Sequence, residues 1–96
     1  MHMKNPAHPG FLLKDDLVEL GLSTAQAAVG LGVTRQQLYN VITGRSSITP
    51  NMAIRLERGI SGTADHWLRM QIAYDLAQAR LRNEKLVIKK LSPKAA

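Results

Sequence analysis

Four helix-starting residues cut this chain into short segments, and that punctuation limits it to a bundle of short helices. Ser23, Thr34, Thr49 and Thr63 each precede a stretch with helical apolar spacing. A hydroxyl in that place accepts the orphan backbone N–H groups of a first helical turn. Pro50 follows Thr49, where its preset φ suits the first helical position. Gly21, Gly44 and the Ser61-Gly62 pair stand where segments stop. The expected helices run from Gly10 to Leu20, Thr24 to Val29, Arg35 to Thr43, Pro50 to Arg58 and Ala64 to Arg82, and the expected fold class is all-α.

The second and third helices are joined only by the turn Leu31-Gly32-Val33. Two helices with a short glycine-bearing turn between them read as a helix-turn-helix, whose second helix enters a DNA major groove. Between Gly21 and Leu56 there is no Asp or Glu, so nothing there repels phosphate. The net charge of +6 and the pI of 10.2 favour polyanionic partners. Ninety-six residues hold one modest core. The expected organisation is an extended arm over residues 1–9, a helix-turn-helix domain over 10–82 and a basic tail over 83–96.

Apolar spacing sorts the faces. Phe11, Leu13, Leu17 and Leu20 repeat along the first helix, while Lys14, Asp15, Asp16 and Glu19 face water. In the third helix Leu38, Val41 and Ile42 belong to the core with Val33 and Ala28. Arg35, Gln36, Tyr39 and Asn40 then point outward as candidates for base edges: arginine forks onto guanine O6 and N7, and glutamine or asparagine onto adenine N6 and N7. Thr24, Thr34, Thr43, Arg45 and Ser47 are candidates for the DNA backbone. Met52 or Ala53, with Leu56 and Ile60, supply the buried side of the fourth helix.

The fifth helix carries two apolar stripes, Trp67-Met70-Tyr74-Ala77-Leu81 and Leu68-Ile72-Leu76-Ala79, with Gln71, Asp75, Gln78 and Arg82 along the border between them. A helix apolar on two sides needs two things to pack against. One is its own domain; Leu68, Ile72 and Leu76 are candidates for a dimer or partner surface. A twofold dimer would set two recognition helices about 34 Å apart, one turn of B-DNA. Beyond residue 82, Leu86, Val87, Ile88 and Leu91 lie among Lys85, Lys89, Lys90 and Lys94, a pattern open to a helix extension, a short strand or a loose tail.

Other chemistry finds no support. His2, His8 and His66 are scattered and there is no cysteine, so no metal site is expected. No nucleophilic constellation or phosphate-cradling loop appears, so no catalytic residue, cofactor or enzyme is expected. No apolar run approaches the roughly 20 residues of a membrane span. The first six residues lack the apolar centre of a signal peptide. These features suit a cytoplasmic protein that does not bind membranes. They leave open a pure protein-interaction module of the same fold.

Three stretches then carry a resemblance. His8-Pro9-Gly10, Leu31-Gly32-Val33-Thr34-Arg35-Gln36 with Gly44-Arg45-Ser46-Ser47-Ile48-Thr49-Pro50, and Trp67-Leu68-Arg69-Met70-Gln71 with Tyr74-Asp75-Leu76 resemble the HigA-type antitoxins. These are also called virulence-associated protein I or plasmid maintenance antidote proteins, and they fall within the XRE, Cro/C1-type helix-turn-helix group. The resemblance spans residues 8 to 82. It implies a five-helix, lambda-repressor-like fold in a bacterial cytoplasmic protein. It also implies a type II toxin–antitoxin role: neutralising a RelE-like, HigB-type mRNA-cleaving toxin, and repressing its own operon as a homodimer on a palindromic operator in double-stranded DNA. Thr24, Thr34, Arg35, Gln36, Tyr39, Asn40 and Arg45 match DNA-facing positions of the family. Ala27, Thr24 and His66 depart from it, standing where Leu, Gln and Phe are common. A stand-alone regulator of the same group, with no toxin, would share every one of these residues.

Overall fold

A computed structural model describes residues 5–94 and contains five helices among them: α1 Pro9–Leu20, α2 Thr24–Leu31, α3 Arg35–Ile42, α4 Pro50–Gly59 and α5 Ala64–Arg82. The first four residues of the expected arm, His2 included, lie outside the described residues.

The starts of α2 to α5 are made by the expected caps. The hydroxyls of Ser23, Thr34, Thr49 and Thr63 accept from the N–H of Gln26, Gln37, Met52 and His66. At α2 and α3 the cap is reciprocal. Gln26 Oε1 accepts from Ser23 N–H at 2.9 Å and Gln37 Oε1 from Thr34 N–H at 2.8 Å, so two otherwise unpaired donors are satisfied at each end. α1 starts one residue before its expected place because His8 is its cap: Gly10 N–H donates to His8 Nδ1 at 2.9 Å.

α2 continues two residues beyond Val29, to Leu31, and Gly32 closes it at φ 71°. Arg55 of α4 completes that end. Its Nη1 donates to the carbonyls of Leu31 (2.8 Å) and Gly32 (3.2 Å), while its Nε donates to Asn51 Oδ1 (2.7 Å). The turn of the helix-turn-helix is therefore held from outside as well as by its own glycine.

The core joins all five helices through Leu13, Leu17, Ala27, Ala28, Leu31, Leu38, Val41, Ile42, Ile48, Met52, Ala53, Leu56 and Trp67. α1 and α2 pack on α3, α4 packs on α5 and α2, and α5 also meets α1. α1 crosses α3 so closely that a Cβ on Gly10 would collide with the Val41 carbonyl oxygen. Both Met52 and Ala53 are buried, and Ile60 is half-buried against the core.

Two members of the α1 repeat leave it. Phe11 lies mostly outside, over Gly44 and beside His8 (6.1 Å between rings), and Leu20 is exposed at the last turn of α1. Residues 86–94 have no regular structure, and Leu86, Val87, Ile88 and Leu91 are exposed. The Cα radius of gyration is 17.4 Å, against about 12.5 Å for a compact chain of this length. No helix among the described residues is long and apolar enough to cross a membrane.

Candidate nucleic-acid interface

The polar side of α3 is built by what its apolar side does. Leu38, Val41 and Ile42 are buried, so Arg35, Gln36 and Tyr39 are turned outward, with Asn40 half-buried at the edge. The Thr34–Gln37 reciprocal cap satisfies the N–H groups of those two residues. The amides of Arg35 and Gln36 remain outside the helical ladder, at the positive end of the helix dipole.

The outward side chains are linked. Gln36 Nε2 donates to Asn40 Oδ1 at 2.8 Å, one helical turn away. The Asn40 carbonyl in turn accepts from the N–H of Arg45 (2.8 Å) and Ser46 (2.9 Å). Gly44, at φ 77°, makes the bend that brings those two amides back. The Arg45 guanidinium carbon lies 5.8 Å from the centroid of the Tyr39 ring, within cation–π range. Gln36, Tyr39, Asn40 and Arg45 thus form one connected surface.

Thr24 is half-buried at the start of α2, and Thr34, Arg45 and Ser47 are exposed. The hydroxyl of Thr34 accepts from Gln37 N–H at 3.0 Å and keeps its own proton to donate. Thr43 differs. α3 ends at Ile42, and the Thr43 hydroxyl donates to the Tyr39 carbonyl at 2.8 Å. That bond engages its single proton at the end of α3.

The support behind this surface includes residues that the sequence did not single out. Gln71, assigned to a polar border, is 3% exposed; its Oε1 accepts from Ile48 N–H at 2.8 Å and its Nε2 donates to Asp75 Oδ1 at 2.9 Å. This bond holds the loop after α3 against α5. His8, also 3% exposed, has the Tyr74 ring edge-on at 5.0 Å. Burial lowers the pKa of His8 below its usual value, opposed in part by a backbone hydrogen bond at Ser46 and the charge of Asp75. The available signal was the place of these residues in the separated stretches that carry the family resemblance. His8, the segment from Ser46 to Ile48 and the segment from Gln71 to Asp75 lie far apart in the chain and meet at one place.

On α5, Trp67 is buried and its indole N–H donates to the Ser61 carbonyl at 3.0 Å. Met70 and Tyr74 are half-buried, whereas Leu81 at the far end of that stripe is exposed. Of the second stripe, Leu68 packs on the chain's own core. That leaves Ile72 (56% exposed) and Leu76 (45% exposed) uncovered. Among the described residues no group of His, Asp or Glu is placed to hold a metal.

Comparison with known proteins places this geometry. The Helix-turn-helix family model matches residues 13–66. Virulence-associated protein A' of Dichelobacter nodosus is 43% identical over 77 residues, covering 79% of this chain and 67% of the relative. Among solved structures, an addiction module antidote protein of the HigA family from Coxiella burnetii superposes with a TM-score of 0.82 at 32% identity, covering 94% of this chain and 99% of that one. The Pseudomonas aeruginosa antitoxin HigA, solved with the higBA promoter, superposes with a TM-score of 0.82 at 33% identity, covering 93% of this chain and 98% of that one.

Proposed function

This chain belongs to the helix-turn-helix family, among the HigA-type antitoxins and their virulence-associated relatives, and from that premise we propose that it is the antitoxin of a type II toxin–antitoxin pair. It represses its own operon by laying α3 in the major groove of a palindromic operator. It neutralises a RelE-like, mRNA-cleaving toxin by direct binding, in the bacterial cytoplasm, and performs no catalysis of its own.

The observation that carries the DNA half is the surface of α2, α3 and the following loop. It has no carboxylate from Gly21 to Leu56 and presents Arg35, Gln36, Tyr39 and Arg45 together. Arg35, Gln36 and Tyr39, with Asn40 behind them, face the bases; Thr24, Thr34, Arg45 and Ser47 face phosphates. Ile72 and Leu76 form the centre of a homodimer face that spaces two copies of α3 by about one helical turn of DNA.

The test of the DNA half is a gel shift on the chain's own upstream region with Arg35→Ala and Gln36→Ala. Each lost bidentate contact is expected to weaken binding by about 1–3 kcal/mol. Unchanged binding removes α3 from the mechanism. The toxin half is tested by co-expression with the small reading frame immediately upstream. A stable complex and restored growth are expected; two products that purify separately make the chain a stand-alone regulator.

A further inference from the structure

We propose that Asn40 is a positioning residue for Gln36, and that the two side chains act as one unit that selects adenine over guanine in the major groove. This rests on the DNA-binding function proposed above and assigns the division of labour within its reading surface.

An exposed glutamine has three rotatable torsions and an amide that can present either end. Here one N–H of Gln36 is committed to Asn40 Oδ1 at 2.8 Å. When the N–H trans to Oε1 makes that bond, the other N–H and Oε1 stand side by side, a donor next to an acceptor. Adenine offers the complement, N7 as acceptor and the N6 amino group as donor, whereas guanine offers two acceptors, N7 and O6. Oε1 facing guanine O6 would set two acceptors against each other, so the held orientation discriminates against guanine.

Gln36, the exposed member of the pair, is the one that reaches a base edge, while Asn40 is half-buried at the edge of the surface. It is also the better anchored of the two. Asn40 is half-buried and its carbonyl takes the Arg45 and Ser46 amides at 2.8 and 2.9 Å, while Gln36 is exposed. The order of support therefore runs from the loop after α3, through Asn40, to Gln36.

The experiment selects preferred sites from a randomised duplex pool with the full chain and with Gln36→Ala, Asn40→Ala, the two combined, and Asn40→Asp. Base preference at each position is then measured as an affinity ratio between duplexes differing by one base pair. The unaltered chain is expected to prefer adenine at one position per half-site. Gln36→Ala and Asn40→Ala should each reduce that preference roughly tenfold, at the same position, with no further loss in the double variant. Asn40→Asp keeps the acceptor oxygen but has no amino group. It should keep the adenine preference while binding all sequences more weakly, because it adds a negative charge. Loss of the preference in Asn40→Asp overturns the proposal and makes Asn40 a reader. So do losses at different positions for the two alanine variants, or a guanine preference at the Gln36 position. A chain that shows no base preference at all overturns this inference together with the function beneath it.

Discussion

At Nδ1 of His8 the backbone of Gly10 donates, so that nitrogen must be unprotonated for α1 to keep its cap. The ring is buried against Tyr74, and its pKa in the fold is lowered, with burial the leading cause. The unfolded chain therefore takes up the proton before the folded chain does. Stability is expected to be level above about pH 6.5, the unfolded value, and to fall as pH drops from there toward the lower folded value. Thermal melts between about pH 7.5 and pH 5 measure this. His8→Asn, which keeps a capping oxygen and does not titrate, should flatten the slope. His8→Ala should flatten it and also cost about 1 kcal/mol for the lost cap. A slope that survives in both variants would mean another group controls it. In the sequence His8 stood out only within the His8-Pro9-Gly10 stretch of the family resemblance. Its contacts with Tyr74 and the region of Ser46 were not legible there, because nothing local joins residue 8 to residues 46 and 74.

For an element, the useful comparison is between what starts a helix and what directs it. α3 is eight residues long, too short to hold itself in water without support. Its reciprocal cap and its buried Leu38 supply that support from the two directions. Thr34→Ala leaves the Gln37 amide without its hydroxyl acceptor, while the backbone N–H of residue 34 can still donate to Gln37 Oε1. It is expected to cost about 1 kcal/mol, lowering the melting temperature by roughly 4–8 °C in a domain of this size. Leu38→Ala, at a fully buried site, is expected to cost about 2–5 kcal/mol. Melting of both variants, followed by circular dichroism, ranks the two effects; an equal or larger loss in Thr34→Ala would show that α3 depends on its cap more than on its packing. Starts were readable because a cap bond spans three residues. The end of α2 was read two residues short of its left-handed Gly32 cap, and Arg55 adds bonds there from 23 and 24 residues away. The end of α3 was read one residue long because Thr43 bonds back onto the helix.

Over the whole molecule, α5 does two jobs along one length. Its first half is committed to the chain's own core through Trp67 and Leu68 and to the loop after α3 through Gln71. Ile72 and Leu76 are left uncovered. The proposed homodimer predicts that Ile72→Lys with Leu76→Lys turns a dimer into a monomer in sedimentation equilibrium without lowering helix content. Affinity for a full palindrome should then fall by about 10²-fold or more, as the link between half-sites is lost, while affinity for a single half-site holds. A double variant that stays dimeric places the interface elsewhere. The two-striped pattern of α5 was plain in the sequence, but the place of Leu68 was not. Helical periodicity tells which residues share a side; it does not tell how far the partner on that side reaches.

The number of helices, the starts of α2 to α5, the helix-turn-helix and the outward set Arg35, Gln36 and Tyr39 were determined by the sequence alone. Caps and apolar periodicity act over three or four residues, and their energies are local. Tertiary structure decided which polar side chains serve the frame: buried Gln71 on the Ile48 amide, His8 beneath Tyr74, Arg55 on the end of α2. It also decided that Phe11 and Leu20 stay out of the core. Those outcomes depend on which distant backbone groups arrive unpaired beside a given side chain, and only packing brings them together.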